Sequence, residues 1–292
     1  MLTRSLLLVL LSLTAYLPAG AKNYIRYHQR SLVVQEQMLK GEHNKALELL
    51  HELEKRYGLM PTETFARALC QVAIGDTASA RVSYLKSIEQ RASLGWLFIS
   101  TPQYSTAADS LWYENVVAEC EALWLSFPQF VDGPNPGMPT LVSHLNARHQ
   151  FVIDSLGWFD PATQPEAQFA YDAVVEQHDL LLDSIISGKL PVPSIATYGV
   201  NLEFETFVIH CSSKLTKKKQ KHFKRWLKQG LIYPRVYATC FDDLANEEGR
   251  PIPYGIFNGL RPEELVPGHE KRRAAIGMGG DHMDKLRFHW AG

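Results

Sequence analysis

Two segments of the chain align at a fixed distance, and that spacing constrains the fold more than any other feature. Gly41-Glu42-His43-Asn44-Lys45-Ala46 is followed 34 residues later by Gly75-Asp76-Thr77-Ala78-Ser79-Ala80, with Gly41 matching Gly75 and Ala46 matching Ala80. Glycine reaches left-handed backbone geometry at little steric cost and so ends a helix. The alanine lets the next helix approach closely. Apolar residues recur at helical spacing on both sides of each glycine. In the first unit they are Leu32, Val33, Met38 and Leu39, then Leu47, Leu49, Leu50 and Leu53. In the second they are Phe65, Ala66, Leu69, Val72 and Ala73, then Val82, Tyr84, Leu85 and Ile88. Two stacked helix-turn-helix units are expected. A further helix over about 110–125, carrying Leu111, Trp112, Val116, Val117, Leu123 and Trp124, would cap them.

The period resembles that of tetratricopeptide repeats. Such stacks bind peptides or neighbouring domains in a concave groove, so the resemblance implies a protein or peptide partner. The alternative is a pair of hairpins that only packs on its own C-terminal domain.

The N-terminus reads as an address. Arg4 precedes an uncharged apolar run, Ser5 to Leu17, then Pro18 and the small-x-small pattern Ala19-Gly20-Ala21. This is the pattern of a cleaved secretory signal. The run is too short to span a bilayer comfortably, which takes about 20 apolar residues. Residues 1–21 are assigned to the signal and 22–127 to the repeat-like region. The mature chain is then exported, to a periplasmic or extracellular site, with no later transmembrane segment. With a formal net charge of −1, the molecule has no overall bias toward nucleic acid, and nucleic acid is not an expected partner of an exported chain.

Four cysteines, Cys70, Cys120, Cys211 and Cys240, fall two in each half. An even count in an exported chain permits disulfides, here Cys70–Cys120 and Cys211–Cys240, although three connectivities exist and four buried thiols are the alternative. No CxxC occurs.

Residues 128–139 (PQFVDGPNPGMP) form a linker rich in Pro and Gly. Helical patterns resume in 140–292: Thr140 to Leu156, Glu166 to Ser187, Leu202 to Ser212 and Thr216 to Gln229. In the stretch Tyr233 to Phe257, Pro234, Pro251 and Pro253 argue against a central strand, leaving an irregular hairpin or a helix and turn. The fold class is therefore mostly α, with helical-repeat hairpins packed on a helical C-terminal domain that carries a small irregular or hairpin segment.

From about Leu145 onward the chain offers His149-Gln150, Ile209-His210-Cys211, Tyr237-Ala238-Thr239-Cys240-Phe241-Asp242-Asp243, Gly249, Tyr254-Gly255-Ile256-Phe257 and Arg272-Arg273-Ala274-Ala275-Ile276-Gly277. In order and spacing these motifs resemble a bacterial family catalogued as domain of unknown function 6624. Asp243 stands where that family has Arg, and Ile256-Phe257 where it has Thr-Gln. The resemblance supplies no activity.

His210 and Asp242 are the candidate catalytic pair, since histidine exchanges protons near neutral pH and a carboxylate can orient its ring. Gln150, Tyr254 and Arg273 are candidate binding groups. The alternative is that these groups only hydrogen-bond one another or backbone and hold helices in register. The eleven histidines are scattered and no HExxH or calcium-loop pattern occurs, so no metal or cofactor is expected. A basic stretch includes Lys217, Lys218, Lys221, Lys224 and Arg225, with Phe223, Trp226 and Leu227 clustered on one helical face. It reads as a solvated surface helix; contact with an anionic surface such as lipid head groups is the alternative. The expected function is binding or scaffolding in the bacterial envelope, and the rival is a hydrolase-like enzyme. If the signal is cleaved as read, protein recovered from the envelope has an intact mass beginning at Lys22; a mature chain retaining Met1 would refute the assignment.

Overall fold

The computed structural model describes residues 23–90, 92, 110–126, 138–156, 165–193, 195, 202–211, 216–256 and 261–279. The segment expected to be a signal and most of the expected linker lie outside them. The described chain is mostly helical, without a strand. Its helices are α1 (Tyr24–Leu39), α2 (His43–Tyr57), α3 (Pro61–Ala73), α4 (Thr77–Glu89), α5 (Ser110–Ser126), α6 (Met138–Leu156), α7 (Pro165–Ile186), α8 (Leu202–Ile209), α9 (Lys217–Gln229), α10 (Pro234–Glu247) and α11 (His269–Ile276). None of them is long and apolar enough to cross a membrane.

The 34-residue spacing reappears bond for bond. Gly41 N donates to Met38 O and Glu42 N to Gln37 O; Gly75 N donates to Val72 O and Asp76 N to Gln71 O. Each pair closes a helix with a Schellman motif around a left-handed glycine. Burial follows the same offset: Val34 and Ala68, Met38 and Val72, Ala46 and Ala80, and Leu50 and Tyr84 are all buried. Val33, Leu39 and Val82, apolar positions in the sequence pattern, face outward instead. Polar contacts tie the stack together. Arg67 of α3 donates to both oxygens of Glu54 on α2, at 2.7 and 3.2 Å, and Lys86 of α4 reaches the same carboxylate at 3.1 Å. Arg81 of α4 pairs with Glu119 of α5 at 2.7 Å, and Val116 and Cys120 of α5 complete the first core.

Helices α6 to α11 surround a second core built from residues such as Leu182, Phe207, Phe223, Trp226, Leu227 and Ala238. Helix α10 begins at Pro234, whose missing N–H is no loss in a first turn. The segment left open between hairpin and helix-plus-turn is therefore a helix followed by an irregular arm. That arm is held by one parallel bridge between Ile252 and Leu265. Helix α6 starts at Met138 and so takes in the end of the proposed linker.

Helix α1 belongs to both cores. Tyr27, Val34 and Met38 are buried in the first, while Ile25 packs on the second. Its inner side is pinned by a buried carboxylate: Tyr27 Oη donates to Glu63 at 2.8 Å, Ser31 Oγ donates to Glu63 at 2.5 Å, and Met60 N donates to Tyr27 Oη at 2.9 Å. Its outer side rests on two helix ends. A Cβ on Gly230, after α9, would stand 2.5 Å from Tyr24 Cγ; one on Gly277, after α11, would fall on His28 Cβ and 2.8 Å from Gln29 N. Gln29 Nε2 donates to Ala274 O at 3.1 Å across the same contact. Ile195, from beyond α7, is buried in the first core, so the two halves interlock.

Both Gly41 and Gly277 have positive φ, but nothing lies within 4 Å of a Cβ on Gly41. Alanine at position 41 should bear only the left-handed penalty, about 1–2 kcal/mol. Gly277→Ala adds overpacking against α1, worth about 1–3 kcal/mol more. Equal losses in the two variants, read from urea unfolding curves, would mean that α1 does not seat on Gly277.

Candidate functional site

Asp242 sits on α10 and is completely buried. Its carboxylate accepts from Tyr254 N and Ile256 N, both at 2.7 Å. Arg273 of α11, also completely buried, donates through Nε to Gly279 O at 2.6 Å and through Nη1 to Tyr254 O and Gly255 O at 3.0 and 3.2 Å. Carboxylate and guanidinium thus grip the arm at 254–256 from its amide and carbonyl sides. Burial lifts the Asp242 carboxyl to about 6, against the opposing pull of those amides and of Arg273. Tyr254 presents its ring edge-on to Tyr237, with centroids 5.9 Å apart.

His210 lies elsewhere in the contact network. No hydrogen bond or ion pair joins it to Asp242 among the described residues. It follows α8 and stacks on His149 of α6 at 3.6 Å between centroids. His178 of α7 stands edge-on to both, at 5.4 Å from each. Three helices therefore bring three imidazoles together. His178 Nδ1 lies 2.9 Å from Val174 O, while His178 Nε2 and both nitrogens of His149 are buried with no hydrogen-bond partner. Burial, then the neighbouring rings, holds His210 down to about 3; burial, then His178, holds His149 down to about 4. Burial also lowers His178, against the Val174 carbonyl. The cluster is neutral at neutral pH. As the side chains stand, no three His, Cys, Asp or Glu among the described residues are arranged around a metal position.

Sequence reasoning named His149 and His210 but missed His178. A signal existed. His178 falls between Val174 and Leu181-Leu182 on the apolar stripe of α7, and His149 follows Val142 and Leu145 on that of α6. A polar residue on a core stripe was the mark.

The other candidates stand apart. Gln150 is exposed and donates to Asp154 on its own helix at 2.7 Å. On α9, Phe223, Trp226 and Leu227 are buried, while Lys218, Lys221, Lys224 and Arg225 are exposed; the Lys217 side chain lies outside the described atoms. Lys219 turns back to Asp183 of α7 at 2.9 Å. The suggested Cys70–Cys120 and Cys211–Cys240 bridges are not formed: all four cysteines are buried and none is in a disulfide. They serve as small apolar fillers, and burial pushes Cys70 and Cys120 up to about 12, far from a reactive thiolate.

A cavity of about 390 Å³ opens where the hairpin tips meet the second half. Its walls include Tyr24, Tyr57, Leu59, Met60, Glu89 and Gln90. Gln90 Nε2 donates to Leu59 O at 3.1 Å, whereas its Oε1 is buried without a partner.

No protein-family profile matches the chain, and no characterised protein or solved structure is significantly similar to it.

The histidine cluster predicts a pH dependence. Histidines with native values below the unfolded one bind fewer protons than the unfolded chain, so their stabilisation is full above about 6.5 and drains as pH falls toward 4. Asp242, raised in the native state, acts oppositely and stabilises as pH falls through about 6. His149→Leu isolates the histidine part. In metal-free buffer, the wild type should lose stability relative to this variant on the order of 1 kcal/mol per pH unit below 6.5. Parallel stability–pH curves for the two would show that His149 is not neutral in the fold.

Proposed function

We propose that this chain is an exported binding or scaffolding protein of the bacterial envelope, and that it receives an extended peptide segment in the cavity between its helical hairpins and its C-terminal half. The observation that carries the reading is the cavity of about 390 Å³ where the hairpins meet the second half, walled by Tyr24, Tyr57, Leu59, Met60 and Gln90. Gln90 brings a side-chain amide to that wall, a group able to hydrogen-bond a peptide backbone. The surrounding Tyr24, Tyr57, Leu59 and Met60 give apolar and aromatic walls, and Glu89 and Gln90 add polar groups beside them, a combination that ligand sites use. The 34-residue pairing of hairpins supports the same reading, because tetratricopeptide-like stacks present their helices to peptides.

Against the hydrolase alternative, the Asp242 carboxylate already accepts two backbone amides and does not orient His210. Against lipid insertion, the apolar side chains of α9 face the core, leaving only a cationic outer face.

Peptides of about 12 residues selected from a random displayed library on the chain beginning at Lys22 provide the test. Gln90→Leu should weaken the selected peptides about fivefold to tenfold, the equivalent of one hydrogen bond of about 1–1.5 kcal/mol. Lys218→Ala, an exposed residue at the opposite end of α9 from the cavity-lining Gly230, should not. Equal affinity for wild type and Gln90→Leu, or no enrichment of any peptide, would overturn the reading.

A further inference from the structure

We propose that the outer face of α9 docks the protein, without insertion, on an anionic phospholipid surface. This contact is separate from the peptide cavity and needs no peptide. Helix α9 reads KKKQKHFKRWLKQ and contains no acidic residue. At 100° per residue, Lys218, Lys221, Lys224, Arg225 and Lys228 fall within an arc of about 120°. All five are exposed. At 1.5 Å per residue they extend over about 15 Å of the helix axis. The opposite side of the helix carries Phe223, Trp226 and Leu227, all buried, and that burial fixes which way the cations point.

Charge on this face is not compensated as it is elsewhere. Arg67 and Lys86 share Glu54, Arg81 meets Glu119, and Arg261 meets Glu263 and Glu264. Among the described residues, none of the five cations of the α9 face is in an ion pair, and Arg225 donates to the Nδ1 of its neutral neighbour His222 at 3.1 Å. Lys219 does pair, with Asp183 of α7 at 2.9 Å, but it points away from the arc of the five. Lys221 with Arg225, and Lys224 with Lys228, are like charges one helical turn apart, an arrangement that destabilises a helix left in water. His222 registers the field: burial first, then Arg225 and Lys218, lowers its pKa. The whole chain has a net charge of −1, so this positive face is a local segregation of charge rather than a general excess.

The composition of the face selects its partner. Four of the five cations are lysines, compact hydrated charges without the planar fork that arginine offers to a carboxylate. Lysine is depleted in protein–protein interfaces, and such interfaces are anchored by aromatic side chains. The aromatic side chains of α9, Phe223 and Trp226, are buried and so are not available as anchors, nor as platforms on which nucleic-acid bases could stack. A lipid surface asks for neither. It offers a plane of many exchangeable phosphates, to which basic clusters are held by charge alone. Because the apolar side of α9 is spent on the core, the attachment is peripheral and sensitive to salt.

Vesicle co-sedimentation tests this contact. The chain beginning at Lys22 is used, since it keeps every described residue and lacks the apolar run at 5–17, which would itself enter a bilayer. It should sediment with phosphatidylglycerol–phosphatidylcholine vesicles of about 1:2 composition and not with phosphatidylcholine alone. Salt of about 0.5 M, which screens charges beyond about 4–5 Å, should release it. Each basic residue near an anionic surface is worth about 1 kcal/mol, a factor of about five, so Lys221→Gln with Lys228→Gln should weaken partitioning about thirtyfold. Lys40→Gln with Lys55→Gln, exposed residues of the first half, makes the same change in net charge and should weaken it less than fivefold. The wild-type salt series needs no variant to fold. Equal sedimentation with the two vesicle types, binding that survives 0.5 M salt, the same loss in both double variants, or preference for duplex DNA over the anionic vesicles at equal phosphate would overturn the assignment.

Discussion

The fold depends on one helix being held from both sides. Glu63, buried in the first core, gathers the hydroxyls of Tyr27 and Ser31, and a buried carboxylate without such donors would be strongly destabilising. The same helix turns Tyr24 and His28 toward Gly230 and Gly277, where no side chain could fit. Polar satisfaction on one side and close backbone approach on the other fix the position of α1. The junction cavity and the register between the halves both follow from that position, since Tyr24 and Gly230, which meet there, both line the cavity.

The second half deals with buried polarity in two ways. Around Asp242 and Arg273, charged groups are consumed by backbone amides and carbonyls, and the result is a fixed arm. Around His149 and His178, ring nitrogens are left without partners. The first arrangement is closed and structural; the second retains unused bonding capacity. Two groups singled out together in the sequence, His210 and Asp242, belong to these opposite cases.

The repeat was legible because it is local. The glycines at 41 and 75 and the alanines five residues after them are set by short-range geometry, and the matching hydrogen bonds at each turn follow from the same residues. The burial of Phe223 and Trp226 beneath an exposed lysine face was likewise readable from helical spacing. Asp242 and His210 were singled out as chemistry-bearing residues, but nothing in their spacing distinguishes a carboxylate that orients an imidazole from one that caps two amides twelve and fourteen residues away. The histidine cluster joins positions separated by about thirty residues at each step, a tertiary coincidence no local pattern encodes. The cysteines illustrate the same limit: count and compartment suggested bridges, whereas core packing determined their environment.

The bond from Gln29 to Ala274 spans 245 residues, and this has a consequence for the order of assembly. Contacts between distant chain segments form late, because the intervening loop must first be closed. The hairpins of α1 to α4 can pair as soon as they emerge. The outer side of α1 must wait for α9 and α11, and until then it presents Tyr24, Ile25 and His28 to whatever is nearby. During synthesis, the leading helix would therefore stay a target for chaperones and proteases until the trailing one arrived. A chain cut short before Gly277 would carry that exposed face permanently, making the contact a checkpoint for completeness as well as a source of stability.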